Sequence, residues 1–582
     1  MSLFKLHPAG PTPGVPYLSP RTICRADQCE EHVNIGLFFD GSGNNMYAHM
    51  PLKKDSNVAR LFRAYKDDRK AGYYPHYMPG VGTRFPEIGE NDEAGRTGGM
   101  GMGLGGDGRI LYGILMVLDS LHRQVRNNVP LLSGSEITAL CRNGNSLEGK
   151  NPFTQKTTHR ASHEQDTPIL AKLGLDGGLL ASAIRRRYLP RLASRVRGAM
   201  EGAARPKILE IFIDVFGFSR GAAEARVFLH WMSELFDGET LCGVPVRFRF
   251  AGLFDTVASV IWPNSANGSG HLAWARTEHL RIPARVHACV HYVAMHEPRA
   301  SFPVDWVMQG RTTPTNCHEY LLPGAHSDVG GAYLPAEQGK GIFGRDDEKL
   351  PQIALNLMYD AARAAGVMAL NKEGAKDGSY DPFAVDPQLQ KSYNAFMAHQ
   401  RATAERWQLG DWWLTYLAWR YQVRFDYCKL PFFSRAMKNK GSGDATDIGD
   451  TNLLLRADFE SLQVPEWNWA QVWPEIVRRL LPMDALSQWL VPRRGRRPML
   501  PGEAIPIFDQ VRRWPRIDEH VARFFADYVH DSFAGFKPMD DVAFGMGVPG
   551  YSWEFAGYLR YRRNFFGSDQ ALPQINEERK AS

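Results

Sequence analysis

No stretch of this chain reaches the roughly 18 consecutive apolar residues that a membrane-spanning helix needs, so no span is expected. The opening, MSLFKLHPAGPTPGVPYLSP, lacks the apolar core of a Sec signal. If the protein acts outside the cell that makes it, we expect an exit route that needs no cleaved signal. Cysteine is scarce: 7 in 582 residues, an odd number with no zinc-like paired spacing. This excludes a disulfide-stapled small domain or a zinc module and points to folding in a reducing compartment. Cys24 and Cys29 stand close enough to pair, but free thiols are the better reading. A large charge excess is missing too. Lys+Arg of 69 against Asp+Glu of 63 leaves +6, too little to imply a nucleic-acid partner but compatible with weak attraction to anionic membranes. No internal repeat is visible, and no cofactor or metal is expected.

What is present is an ordinary globular composition, 44% hydrophobic and 23% charged, in a chain long enough for two modules or one enlarged domain. Residues 1–30 are Pro-rich and read as an extended arm. The apolar runs VNIGLFFD, ILEIFIDVF, VRFRFAGLFD, VHACVHYVAM and HEYLLPG read as buried strands. Between them, RILYGILMVLDSLHRQV, GAAEARVFLHWMSELF and LPQIALNLMYDAARAAG carry helical periodicity. The alternation predicts an α/β fold, a mainly parallel sheet with helices on both faces, over residues 31–400. A polar stretch at about 133–170 reads as a surface insertion. Residues 401–582 concentrate Trp, Tyr and Arg and read as a largely helical, aromatic-rich C-terminal module. Its aromatics either pack between helices or form an interfacial surface, with Trp412, Trp413 and Trp489 entering lipid and Arg493 and Arg494 meeting phosphates.

Gly217-Phe218-Ser219-Arg220-Gly221 fits G-x-S-x-G between a buried strand and a helix. That context is the one in which a sharp turn presents a serine hydroxyl above a sheet edge. A hydroxyl is a poor nucleophile until a histidine takes its proton, and the histidine needs a carboxylate to fix its tautomer. Asp255 ends the strand VRFRFAGLFD, and His326 lies in the Gly-flanked loop LPGAHSDVGG, giving the chain order Ser, acid, His. Asp328 is the rival acid. Two residues from His326, it is better placed to secure the loop than to reach the imidazole. His291, His296 and His318 sit inside or at the ends of strand-like runs and read as packed or hydrogen-bonded residues.

An oxyanion needs amide donors, one expected from Arg220 and others from Gly41 and Ser42 in FFDGSGNN. Asp40 could be read as a metal ligand, but no carboxylate cluster accompanies it. GMGLGG at 101–106 has the glycines of a dinucleotide turn without a strand before it, and GNSLEGKN at 144–151 has Asn151 where a Walker A loop needs Ser or Thr. In His530-Asp531-Ser532 the letters of a triad are contiguous, and adjacent side chains cannot converge.

FFDGSGNN, GFSRGAAEAR, GLFDTV and PGAHSDVGGAY, in that order, resemble the DUF2235 family of α/β-hydrolase-like proteins. YVHDSFAGF and GYLRYRRNFFG are similar to its bacterial branch, the Tle1 family of type VI secretion lipase effectors. The resemblance covers about residues 30–340 and those two C-terminal patches. Family members commonly read FDGTGN where this chain has FDGSGN. The resemblance implies phospholipase activity of the A1 or A2 kind, acting in the periplasm of a target cell. It also implies Ser219 as nucleophile, His326 as base and Asp255 as acid, with membrane phospholipids as substrate, a VgrG-type spike as carrier and a cognate immunity protein. Competing expectations are a carboxylesterase or neutral-lipid lipase, a membrane-disrupting toxin whose hydrolase fold is incidental, and a structural adaptor of the spike.

Overall fold

The structure is a computed structural model. It describes residues 14–22, 30–91, 105–144, 164–175, 183–202, 207–260, 270–403, 411–439, 442–462, 504–536 and 562–572. The strands in chain order are β1 (Glu30–Phe39), β2 (Tyr73–Met78), β3 (Lys207–Phe218), β4 (Thr240–Leu241), β5 (Val244–Phe254), β6 (Val286–Ala294), β7 (Val304–Asp305), β8 (Cys317–Leu322), β9 (Asn564–Phe565) and β10 (Ala571–Leu572). The main sheet runs β2-β1-β3-β5-β6-β8, all parallel, with the short β4 antiparallel to β5.

Continuous apolar runs form this sheet because both faces are covered. On one side the helices Gly106–Val125, Leu189–Glu201 and Arg220–Ser233 bury Ile114, Leu118, Val196 and Phe228 against β1 and β3. On the other, Asn57–Ala64 and Pro351–Ala364 bury Leu61, Leu355 and Met358 against Phe38, Phe216 and Phe250. The expected α/β architecture is therefore present. The register pairs Phe39 with Gly217, Phe218 with Phe254, Phe254 with Tyr292 and Ala294 with Leu322. All the carboxyl ends thus align at one edge, where parallel sheets place their sites.

Two expectations are corrected. Part of the stretch read as a polar surface insertion is a core helix: Gly134–Asn143, opened by a Ser133/Glu136 capping box, buries Ala139, Leu140 and Cys141. Residues 145–163 lie outside the described part. In the C-terminal region, Trp412 and Trp413 are 5% and 1% exposed, packed in a second core with Phe396, Trp419, Phe508 and Phe525. They do not reach a lipid surface, since drawing either out would forfeit roughly 3–5 kcal/mol of packing. Trp489, Arg493 and Arg494 lie outside the described residues. The helix Pro387–Thr403 spans the expected boundary near residue 400 and gives Leu389, Tyr393 and Met397 to this second core. Among the described residues, no helix is long and apolar enough to cross a membrane.

The chain then returns to the sheet domain. β9 pairs in parallel with β7 and antiparallel with β10, so residues 562–572 lie beside the carboxyl edge of the main sheet.

Candidate active site

β3 runs directly into the helix Arg220–Ser233, and the turn between them is Ser219 alone, with φ 57° and ψ −126°. A non-glycine residue there is strained, and such strain persists only where the surroundings over-determine it. The surroundings do so through two glycines. A Cβ on Gly217 would stand 2.6 Å from Ala222 Cα, and one on Gly221 would stand 2.3 Å from the carbonyl oxygens of Phe39 and Asp40. The Ser219 N–H donates to Phe254 O (3.0 Å), and Val257 N–H donates to Ser219 O (3.2 Å), tying the turn to the end of β5.

Asp255 is the first residue beyond β5, at φ 43° and fully buried. Its Oδ2 accepts from His326 Nδ1 at 2.5 Å, and its Oδ1 accepts from the Ala294 N–H at 2.8 Å. His326 opens the short helix His326–Gly330 after β8. The bond to Asp255 fixes the tautomer with the proton on Nδ1, leaving Nε2 as the basic nitrogen. Phe218, the neighbour of Ser219, lies 4.7 Å from the His326 ring centroid, and Phe302 lies 5.0 Å from it on an edge. Asp255 and His326, both expected from the sequence, are thus bonded to each other, and Phe218, which precedes Ser219 in the chain, packs on the His326 ring.

Asp328 takes a different task. Its carboxylate accepts from Ala325 N–H (2.9 Å) and from His530 N–H (3.0 Å), with His530 Nδ1 at 2.6 Å. The contiguous triad letters disperse accordingly: His530 meets Asp328, Asp531 pairs with Arg420, and Ser532 donates to Glu297 at 2.9 Å. His296 accepts from Gly324 N–H (2.9 Å) and so helps set the His326 loop. Burial pushes its pKa down to about 3, which keeps it a neutral acceptor. His291 links Thr256 to Glu319.

The loop after β1 differs from expectation at Gly41. Its N–H donates to Asp40 Oδ1 at 2.7 Å and so does not point out as a spare donor. Asp40 is buried, also accepts from the Tyr77 hydroxyl at 2.5 Å, and has its pKa pushed up to about 6, chiefly by burial. Ser42 Oγ accepts from Arg220 Nε at 2.5 Å, joining this loop to the first turn of the helix behind Ser219. Among the described residues, no group of His, Cys, Asp and Glu side chains could hold a metal ion.

Three contributors escaped the sequence reading. Arg562 clamps Asp255 through Nη1–Oδ1 (2.9 Å) and Nη2–Oδ2 (2.6 Å). Glu297 accepts from the His326 N–H (3.1 Å) while Arg299 Nε donates to it (2.8 Å). Burial raises the pKa of Asp255, but Arg562 and His326 more than offset this and hold the carboxyl well below the usual carboxylate range. For His326, burial outweighs the help of Asp255, and its pKa falls below the ordinary value.

One buried carboxyl nearby has no such partner. Glu224, on the helix after Ser219, is 1% exposed, and neither of its carboxyl oxygens has a hydrogen-bond partner among the described residues. Burial pushes its pKa well above the usual value, against the pull of Arg109 and Arg220. The folded protein then keeps a proton that the unfolded chain releases near pH ~4.3, so this group's effect on stability worsens as pH rises above that value. Glu224→Gln should therefore raise the melting temperature, and by more at pH 8 than at pH 5. Calorimetry at the two values checks this, and an equal or smaller gain at pH 8 would refute it.

A crystal structure of an uncharacterized protein from Pseudomonas aeruginosa superposes with a TM-score of 0.63 at 24% identity, covering 93% of this chain and 80% of that one, and so shares the fold. A structure of the Tle1 effector bound to the VgrG spike from the type VI secretion system is similar only at a TM-score of 0.32 and 18% identity, over 64% of this chain and 80% of that one. No curated protein matches the sequence. Residues 229–361, the stretch that carries both Asp255 and His326, match the family model for the catalytic domain of type VI secretion phospholipase effectors of the Tle1-like kind, which bears out the resemblance read in the sequence motifs.

Proposed function

We propose that the chain is a serine esterase of the phospholipase A type, acting on acyl esters of membrane phospholipids as a type VI secretion effector. The observation that supports this most is the 2.5 Å bond between His326 Nδ1 and buried Asp255, beside a serine held at φ 57°. In this reading Ser219 Oγ attacks the ester carbonyl while His326 Nε2 takes its proton, and Asp255 stabilises the imidazolium that forms. The Arg220 amide, in the first turn of its helix, and the Ser42 segment face the developing oxyanion. Gly41 joins them only by releasing Asp40. The protonated His326 returns its proton to the leaving alcohol, and water, activated by the same histidine, frees the acyl group.

Phospholipase chemistry and delivery by a type VI apparatus are drawn from the family match over residues 229–361. Action in the periplasm of a target cell, carriage on a VgrG-type spike and neutralisation by a cognate immunity protein belong to the same proposal. Mass spectrometry of vesicles whose phospholipids carry two acyl chains of different length tests it. Wild type should release one defined chain, fixing A1 or A2 regiochemistry, and Ser219→Ala should release none. Leakage without acyl release, or equal release by both proteins, would overturn the assignment.

A further inference from the structure

We infer that Arg562 is a positioning residue that tunes His326 through Asp255, so that the site is complete only when the segment Arg562–Leu572 is docked. This rests on the triad proposed above. In an ordinary Ser-His-Asp arrangement the carboxylate's countercharge is the imidazolium formed during reaction. Here a permanent guanidinium already holds both oxygens, and Oδ2 is shared between Arg562 Nη2 (2.6 Å) and His326 Nδ1 (2.5 Å).

The clamp is rigid on the arginine side as well. Arg562 Nε donates to Phe302 O at 2.6 Å, and the whole residue is 3% exposed. The chain following it is stitched to the segment around β7. Val304 N–H donates to Arg563 O, Trp306 N–H to Phe565 O and Gly310 N–H to Phe566 O, each at 2.9 Å, while Trp306 Nε1 donates to Asn564 Oδ1 at 3.0 Å. A bidentate guanidinium–carboxylate pair fixes orientation as well as charge. It therefore does two things: it keeps the solvent-excluded Asp255 ionised, and it draws off part of the negative charge that would otherwise make His326 more basic. The remaining charged groups facing the pair are Glu297, which accepts from the His326 N–H, and Arg299, which is paired with Glu297. Glu297 raises the basicity of His326 and Arg299 lowers it, while Arg562 acts on Asp255 and also on Glu297.

The test is the pH profile of kcat/KM for full-length wild type, Arg562→Gln and Arg562→Lys on a soluble short-chain ester, with Ser219→Ala as background. Removing the charge raises the basicity of both Asp255 and His326, so the acid limb of Arg562→Gln should move up by about 1 to 3 pH units. Lysine keeps the charge but cannot hold both oxygens. Its variant should lose about tenfold or more in kcat while its limb moves less than that of the glutamine variant. A limb that stays at the wild-type position in Arg562→Gln, with only kcat or melting temperature lowered, would overturn the inference and leave Arg562 a structural brace. Should Arg562→Gln fail to fold, a lysine variant matching wild type in both kcat and limb would overturn it equally. Wild type no more active than Ser219→Ala would instead sink the triad reading, a result distinct from either.

Discussion

Replacing His326 by alanine is expected to lower kcat on any ester substrate by about 10⁶-fold, close to the full effect of losing Ser219, because the two act as one unit. That factor corresponds to about 8 kcal/mol of transition-state stabilisation. The expectation is this large because none of the other described histidines around the site is placed to replace it. His296 is a buried acceptor occupied by the Gly324 N–H, His291 is bound between Thr256 and Glu319, and the His530 ring is held by Asp328 and stacked on Tyr333 with centroids 3.7 Å apart. Single-turnover kinetics on a chromogenic ester would measure the loss. The double variant Ser219→Ala/His326→Ala should be no slower than either single one. A His326→Ala enzyme within tenfold of wild type would mean that the proton goes elsewhere and that the Asp255 bond has only a structural role.

Asp255→Asn should cost about 10⁴-fold in kcat, since an amide facing Nδ1 favours the wrong imidazole tautomer. In this protein a second loss accompanies it. The asparagine would leave the Arg562 guanidinium buried against a neutral group, and breaking a buried ion pair from one side destabilises by roughly 3–5 kcal/mol. The variant should therefore melt well below wild type, whereas a triad acid bonded only by neutral donors could be exchanged with little effect on folding. Kinetics and denaturant unfolding on the same preparation separate the two losses. Full activity with Asp255→Asn would remove Asp255 from the triad, and an unchanged unfolding midpoint would show that Arg562 finds another anion.

The turn at Ser219 was legible because its causes are local: an apolar strand, two glycines too crowded for a Cβ, and a helix with small residues at Ala222 and Ala223. Asp255 could be found because it closes an apolar run, and His326 because glycines flank its loop. Arg562 could not be found in this way. It stands 307 residues from Asp255, in a run with Arg560 and Arg563, and nothing in that run says which guanidinium turns inward. For Trp412 and Trp413, where interior packing and a lipid-facing surface were both weighed, the sequence carried a signal for packing. DWWLTYLAWRYQV is apolar nearly all round, the pattern of a buried helix rather than of one lying on a surface. Likewise, Ser133 followed by Glu136 was a readable helix start inside the stretch read as polar insertion. At Gly41 the sequence could not reveal that the preceding carboxylate turns back onto the amide, since that depends on Tyr77, brought in by β2.

The distance along the chain between Asp255 and Arg562 also sets a schedule. At about 5–20 residues per second, the 236 residues that separate His326 from Arg562 take a ribosome roughly 12–47 s to add. Throughout that interval the nascent chain already contains the serine, the carboxylate and the histidine, with no guanidinium to meet the carboxylate. A message broken anywhere in it yields a protein with every reacting group and an uncompensated acid. The order of synthesis therefore brings the guanidinium to the site only after every strand of the main sheet has been made.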